Sequence, residues 1–206
     1  MVSRLPPAWD LEATLWARGY TPLAGIDEAG RGALAGPVVA AAVILPPGDY
    51  PFRDSKTLSP AAREDLAGTV RAVALACCTA EASPAEIDEL NILGATRLAA
   101  RRAVAGLGLS PAALVTDYLH IGAGLPELAV ARADARSLQV AAASILAKTV
   151  RDARMRAMAG SYPGYGFEGH KGYGSAAHLA ALQRLGPCPE HRRTFAPVAQ
   201  GSLFPT

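Results

Sequence analysis

The chain has 206 residues, of which 50% are hydrophobic and 18% charged, with a formal net charge of +2. That length suits one domain with a full core, and the balance excludes a disordered tail or a strongly basic binding module, so contact with a polyanion has to come from local charge. The amino end lacks a signal-peptide run and no stretch nears the roughly 18 unbroken apolar residues of a membrane span, so a soluble, cytoplasmic protein is expected.

In chain order, an amphipathic segment from about Trp9 to Arg18 precedes a Thr-Pro turn. A short apolar strand, Leu23 to Ile26, is expected to end directly at the pair Asp27-Glu28, ahead of the glycine turn Gly30-Arg31-Gly32. VVAAAVIL at 38 to 45 reads as a buried strand from its length and β-branched content. Asp54-Ser55-Lys56 lies in a loop, and Ser59-Pro60 supplies the N-cap and first position of a helix to about Ala72. A strand is expected near Val73 to Ala80, with Cys77 or Cys78 or both buried in it as reduced thiols. Ser83-Pro84 opens an interrupted helical region through Asn91 to Ala105. Ala112 to Thr116 is a short strand that also ends in an acid, Asp117. Residues 118 to 136 form a loop with room for one short strand, Ser137 to about Ala159 a long Ala-rich helix, and Ala176 to Leu185 one more helix before a Pro-containing tail. Strands mixed with helices, with acids where strands end, predict an α/β domain with its site along one sheet edge.

Asp27 and Glu28 are adjacent, so an extended strand would point them to opposite faces, and the turn at Gly30 and Gly32 is expected to relax that constraint. Alone, an acidic pair before such a turn also fits a solvated loop. Asp117 and Asp134 make a metal site the sharper reading, although Asp134 is also placed to cap the long helix. Four carboxylates without His or Cys suit Mg²⁺ or Mn²⁺, and two such ions can activate water and stabilise the leaving oxygen of a phosphodiester.

Five segments carry a resemblance: GIDEAGRGALAGPVVAAAV at 25 to 43, DSKTLS at 54 to 59, AAASILAKTVRD at 141 to 152, HKGYGS at 170 to 175 and GPCPEHRRTFAPV at 186 to 198. Together they resemble the type 2 ribonuclease H family, the bacterial ribonuclease HII group. The resemblance implies a ribonuclease H-like mixed β-sheet flanked by helices with a small helical C-terminal region, in a single catalytic domain over residues 1 to 206 whose part from about 160 contacts substrate. It implies a metal-dependent endonuclease of ribonucleotide excision repair. Its substrates would be RNA/DNA hybrids and single ribonucleotides embedded in duplex DNA, cut 5′ to the ribonucleotide to leave 5′-phosphate and 3′-hydroxyl ends. It makes Asp27, Glu28, Asp117 and Asp134 the catalytic metal ligands for Mg²⁺ or Mn²⁺, with two ions during catalysis. It further implies that the Gly30-Arg31-Gly32 backbone reads the 2′-hydroxyl, that Lys56 touches a phosphate, that Tyr173 stacks on the sugar, and that Ser144 and Lys148 belong to the substrate surface. The chain departs from the family's usual pattern at Tyr118, where Gly is common, and in Val-Ala-Arg-Ala before Asp134, where a Lys-Gly pair is common.

Other readings use the same residues. Lys148, Arg151, Asp152, Arg154 and Arg156 on the long helix read as a solvated, ion-paired face with i,i+4 pairs at 148/152 and 152/156, or as a surface meeting DNA phosphates. His120, His170, His178 and His191 share no spacing that would mark a metal site or general acid. Arg192 and Arg193 either bind backbone or cover the core with their stems. A catalytically silent nucleic-acid binding module would gain nothing from four anions facing a polyanion, and a nucleotide-binding protein would want a GxxxxGK[ST] stretch, absent here. The related type 3 enzyme is disfavoured by the short amino end. A monomer is expected.

Overall fold

The computed structural model describes residues 7 to 201. A five-stranded mixed sheet runs in the order β3-β2-β1-β4-β5, built from β1 (Leu23–Ala29), β2 (Val38–Ile44), β3 (Ala76–Ala82), β4 (Ala113–Asp117) and β5 (Glu127–Val130). β1, β2 and β3 are joined antiparallel, while β4 joins β1 and β5 joins β4 in parallel. The helices are α1 (Asp10–Trp16), α2 (Pro60–Val73), α3 (Pro84–Ala105), α4 (Leu138–Ser161), α5 (Phe167–His170), α6 (Ala176–Leu185) and α7 (Ala196–Gly201). Among the described residues no helix is long and apolar enough to cross a membrane.

Every residue of β2 is buried because both faces of the sheet are covered. Ala40, Ala42 and Ile44 pack with Ile87, Ala95, Ala99 and Ala103 of α3. Ala41 and Val43 pack with Ala67 and Val70 of α2 and with Ala142, Ile145 and Leu146 of α4. The same alternation on β1 sends Ile26 to the α3 face and Ala29 to the α4 face, which assigns Asp27 to the α4 side. α4 crosses β1 so closely that a Cβ on Gly25 would stand 2.3 Å from the Gln139 carbonyl carbon, so glycine at 25 is what lets the helix lie against the strand.

Local chemistry sets the boundaries. Ser59 accepts from Ala62 N at 3.2 Å and Pro60 starts α2, as the Ser-Pro pair predicts. Ser83 and Glu86 form a reciprocal capping box on α3. The interruption falls at Asn91, whose φ is 58° and whose side chain accepts from Leu93 N and Gly94 N, recapping the second half. α2 runs through Val73, so β3 begins at Ala76, later than the sequence suggests. β3 is an edge strand, and Cys77 and Cys78 are consequently half-buried there rather than enclosed; Cys188 is buried. The short helices α5 and α7 have no counterpart among the elements expected from the sequence.

Candidate active site

β1 does not stop before the acidic pair. Pairing with β2 continues to Ala29 opposite Val39, so Asp27 and Glu28 sit inside the strand and leave it on opposite faces. The glycine turn is therefore not what lets them share a site. The ladder with β4 ends at Ile26 opposite Thr116, which opens that flank of the strand, and both acids line the resulting cleft. Asp27 and Asp117 each follow the last paired residue of these parallel strands, near enough for the Asp117 charge to raise the Asp27 carboxyl.

Asp117 accepts from Ala133 N at 3.2 Å, which ties the end of β4 to the 3₁₀ turn Ala133–Ala135 that carries Asp134. Asp134 does not cap the long helix; Ser137 does, accepting from Val140 N at 3.0 Å. The acid is nonetheless buried. Burial, then the charges of Asp54 and Asp117, raise its carboxyl above the ordinary range. Burial and then Glu28 hold Asp27 well above its usual value, against a hydrogen bond from Ser144. Burial likewise raises Glu28, with Arg31, 3.1 Å away, opposing it. Lys56 answers this cluster: burial works to lower its ammonium, but Asp27, Asp54, Asp134 and Asp117 outweigh that and hold it above normal.

The substrate residues expected from the sequence meet in the same cleft: Gly30, Arg31, Gly32, Lys56, Ser144, Lys148 and Tyr173 line it with Asp27 and Glu28. Asp117 and Asp134 join through charge rather than as walls of that cleft. Among the described residues, no three acidic, histidine or cysteine side chains already stand close enough to hold an ion. Ser55, not singled out from the sequence, also lines the cleft, with its Oγ 2.8 Å from Ser144 Oγ. Tyr118 takes a φ of 63°, the left-handed backbone for which glycine is the usual choice, and its side chain is 75% exposed beside Asp117. Arg132 in the second departing segment is also left-handed, with φ 60°.

The charged face of α4 is not uniformly solvated. Lys148 does pair with Asp152 at 2.7 Å, but Asp152 is buried and takes its second partner from Arg63 at 3.1 Å, while Arg156 pairs with Glu64 at 2.7 Å. Arg151 and Arg192 are fully buried and bond backbone carbonyls of other segments, so Arg151 belongs neither to a solvated face nor to one that meets phosphates. Arg192 donates to Gly30 O, Arg31 O and Gly36 O, at 2.7, 2.8 and 2.9 Å for the shortest bond to each. Arg151 donates to Pro37 O, Lys171 O and Ala35 O at 3.0, 3.1 and 3.2 Å, with its guanidinium 5.2 Å from the Tyr173 ring.

Two histidines without a shared sequence spacing support Tyr173 from behind. Cys188 N donates to His191 Nδ1 at 3.0 Å, His191 and His178 meet Nε2 to Nε2 at 3.1 Å, and His178 Nδ1 stands 3.0 Å from Tyr173 O. A carbonyl only accepts and an amide only donates, so the chain has one direction: His191 Nε2–H gives to His178 Nε2, and His178 Nδ1–H to Tyr173 O. Both rings are neutral in that arrangement, and burial lowers both, His191 to about 4.

The ribonuclease HII family model matches residues 24–198. A ribonuclease HII of Thermus thermophilus is 58% identical over 196 residues, covering 95% of this chain and 96% of that protein. The crystal structure of ribonuclease H2 from Pyrococcus horikoshii superposes with a TM-score of 0.76 at 26% identity, over 88% of this chain and 97% of that one. The ribonuclease HII of Archaeoglobus fulgidus, solved in complex with PCNA, gives 0.75 at 26% identity, over 87% and 96%. A family match spanning most of the described sheet and helices, and a fold shared with these two solved ribonucleases, lead to one conclusion: the chain belongs to the ribonuclease HII family and is a ribonuclease H.

Proposed function

We propose that the enzyme cuts the RNA strand of RNA/DNA hybrids and, in duplex DNA, the bond 5′ to a single embedded ribonucleotide, leaving 5′-phosphate and 3′-hydroxyl ends. The observation that carries this reading is the meeting of Asp27, Glu28, the glycine turn, Lys56 and Tyr173 in one cleft, with the charge of Asp117 acting on Asp27. Asp27, Glu28, Asp117 and Asp134 would hold Mg²⁺ or Mn²⁺. The donor chemistry fits, since all four are hard oxygen ligands and three are raised by burial and by one another's charge, a penalty that a divalent cation offsets. Such ions supply Lewis acidity to a phosphodiester when bound.

The protein's own groups do the rest. Lys56 offers a cation to a phosphate beside the acids, and Tyr173, 38% exposed, offers a flat face to the sugar from the region after residue 160. A Cβ on Gly32 would meet nothing within 4 Å and its φ is not left-handed, so nothing inside the protein demands glycine there. Close approach of a substrate does, and a 2′-hydroxyl is the group that separates RNA from DNA. The test is incubation with Mg²⁺ and duplex DNA carrying one ribonucleotide. The expected result is a single nick 5′ to that residue; an intact duplex in the presence of folded enzyme overturns the reading, and binding without cutting would leave a silent binding module.

A further inference from the structure

Burying a guanidinium is costly, and replacing buried charge by apolar groups commonly stabilises a protein. Here two lie side by side beneath the glycine turn, and burial followed by the charge of Arg151 lowers Arg192 to about 9. Their hydrogen bonds go to backbone carbonyls, five of which belong to residues 30 to 37. In a trans peptide the C=O and the following N–H point opposite ways. With the Gly30 and Arg31 carbonyls drawn inward to Arg192, the N–H groups of Arg31 and Gly32 are turned outward, toward the cleft that both residues line. Among the described residues neither N–H has an acceptor. A cation on the carbonyl side also polarises each peptide, strengthening its N–H as a donor.

Arg151 extends the device. A Cβ on Gly30 would fall 1.9 Å from Arg151 Nε, and Gly30 has φ +97°, so the turn rests directly on this side chain. The same guanidinium bonds Lys171 O and lies under the Tyr173 ring, which links the turn to the aromatic across the cleft. We infer that Arg192 and Arg151 are positioning residues for ribose selection: Arg192 aims the amides of Arg31 and Gly32 at the 2′-hydroxyl, and Arg151 keeps Tyr173 in register with them. This inference rests on the proposed reading of the substrate.

The experiment uses Arg192→Lys, which keeps the charge and loses the fork. Affinities for a duplex with one ribonucleotide and for its all-deoxy twin are measured without divalent metal, alongside kcat and KM with Mg²⁺. The ribo-over-deoxy ratio is expected to fall about tenfold, the loss of roughly one well-made hydrogen bond, while affinity for the all-deoxy duplex stays within about twofold. A folded variant with the parental ratio, or one that loses both affinities equally, overturns the inference. Arg151→Lys is expected to lose the same ratio and to make a further Tyr173→Ala change nearly silent; full additivity of the two overturns the link. If the lysine variants do not fold, Arg192→Ala is assayed with added guanidinium ion: recovery of the ratio supports the role, and recovery of folding without the ratio overturns it. A parent that cuts no ribonucleotide duplex defeats both readings, whereas a cutting parent matched by Arg192→Lys defeats this one alone.

Discussion

The two halves of the cleft solve opposite problems. On the acid side, Asp27, Glu28 and Asp134 are held in an unfavourable state by burial and by neighbouring acids, with Lys56 and Arg31 offsetting only part of the charge. On the glycine side, the buried charges of Arg151 and Arg192 are met by carbonyls and the backbone is held on several sides. The first half carries negative charge that its own residues only partly offset; the second is organised by its own hydrogen bonds. Activity and stability should therefore part company across the cleft.

The largest effect expected is from Asp27→Asn. Activity on the ribonucleotide duplex should fall on the order of a thousandfold, while the apo melting temperature rises by a few degrees, because a buried repelling charge has gone. A thermal scan showing destabilisation would break the contrast from the acid side. Next, saturating Mg²⁺ should stabilise the parent by about 2.7 kcal/mol at a hundredfold excess over its Kd, and should do so much less in Asp27→Asn, as read by the shift in melting temperature.

The glycine side should behave differently at its two glycines. Gly30→Ala drives a Cβ into Arg151 from a left-handed backbone, and a loss of roughly 2 to 4 kcal/mol in chemical denaturation is expected. Gly32→Ala has room, so stability should hold while cleavage at ribonucleotides drops; equal stability losses in both would remove the distinction. The smallest effect concerns pH. The folded values of His178 and His191 lie below the ordinary 6.5, so their contribution is complete above about 6.5 and is lost as pH falls below it, for His191 down to about 4. Protonating His178 at Nε2 puts two donors face to face in the chain behind Tyr173. Denaturation profiles should show that loss, and His178→Gln should remove the His178 part of it and leave the His191 part.

Much of this is legible before any fold is known. Ser-Pro pairs place the starts of α2 and α3, an eight-residue apolar run gives β2, and Asp117 closes β4. The error at β1 is instructive: the strand outlasts its apolar residues because β2 continues to pair with it, and pairing across a hairpin leaves no trace in local composition. Arg151 and Arg192 are hidden for a related reason. One sits among the charged residues of α4, which suggest a wet helix face, yet two of its three carbonyl partners lie over 110 residues upstream, and the other bonds carbonyls more than 150 residues upstream. Histidines 13 residues apart give no hint that they form one chain.

The parallel register of β1 and β4, whose last pair directly precedes Asp27 and Asp117, makes the spacing of these acids discrete rather than adjustable. Inserting one residue into the Leu23–Ile26 segment while the strand stays paired would swing Asp27 to the α3 face. Inserting two would restore the face but slide the carboxylate about 6.6 Å along its neighbour. Length changes that keep these acids in place are thus confined to connections between elements, such as residues 118 to 126.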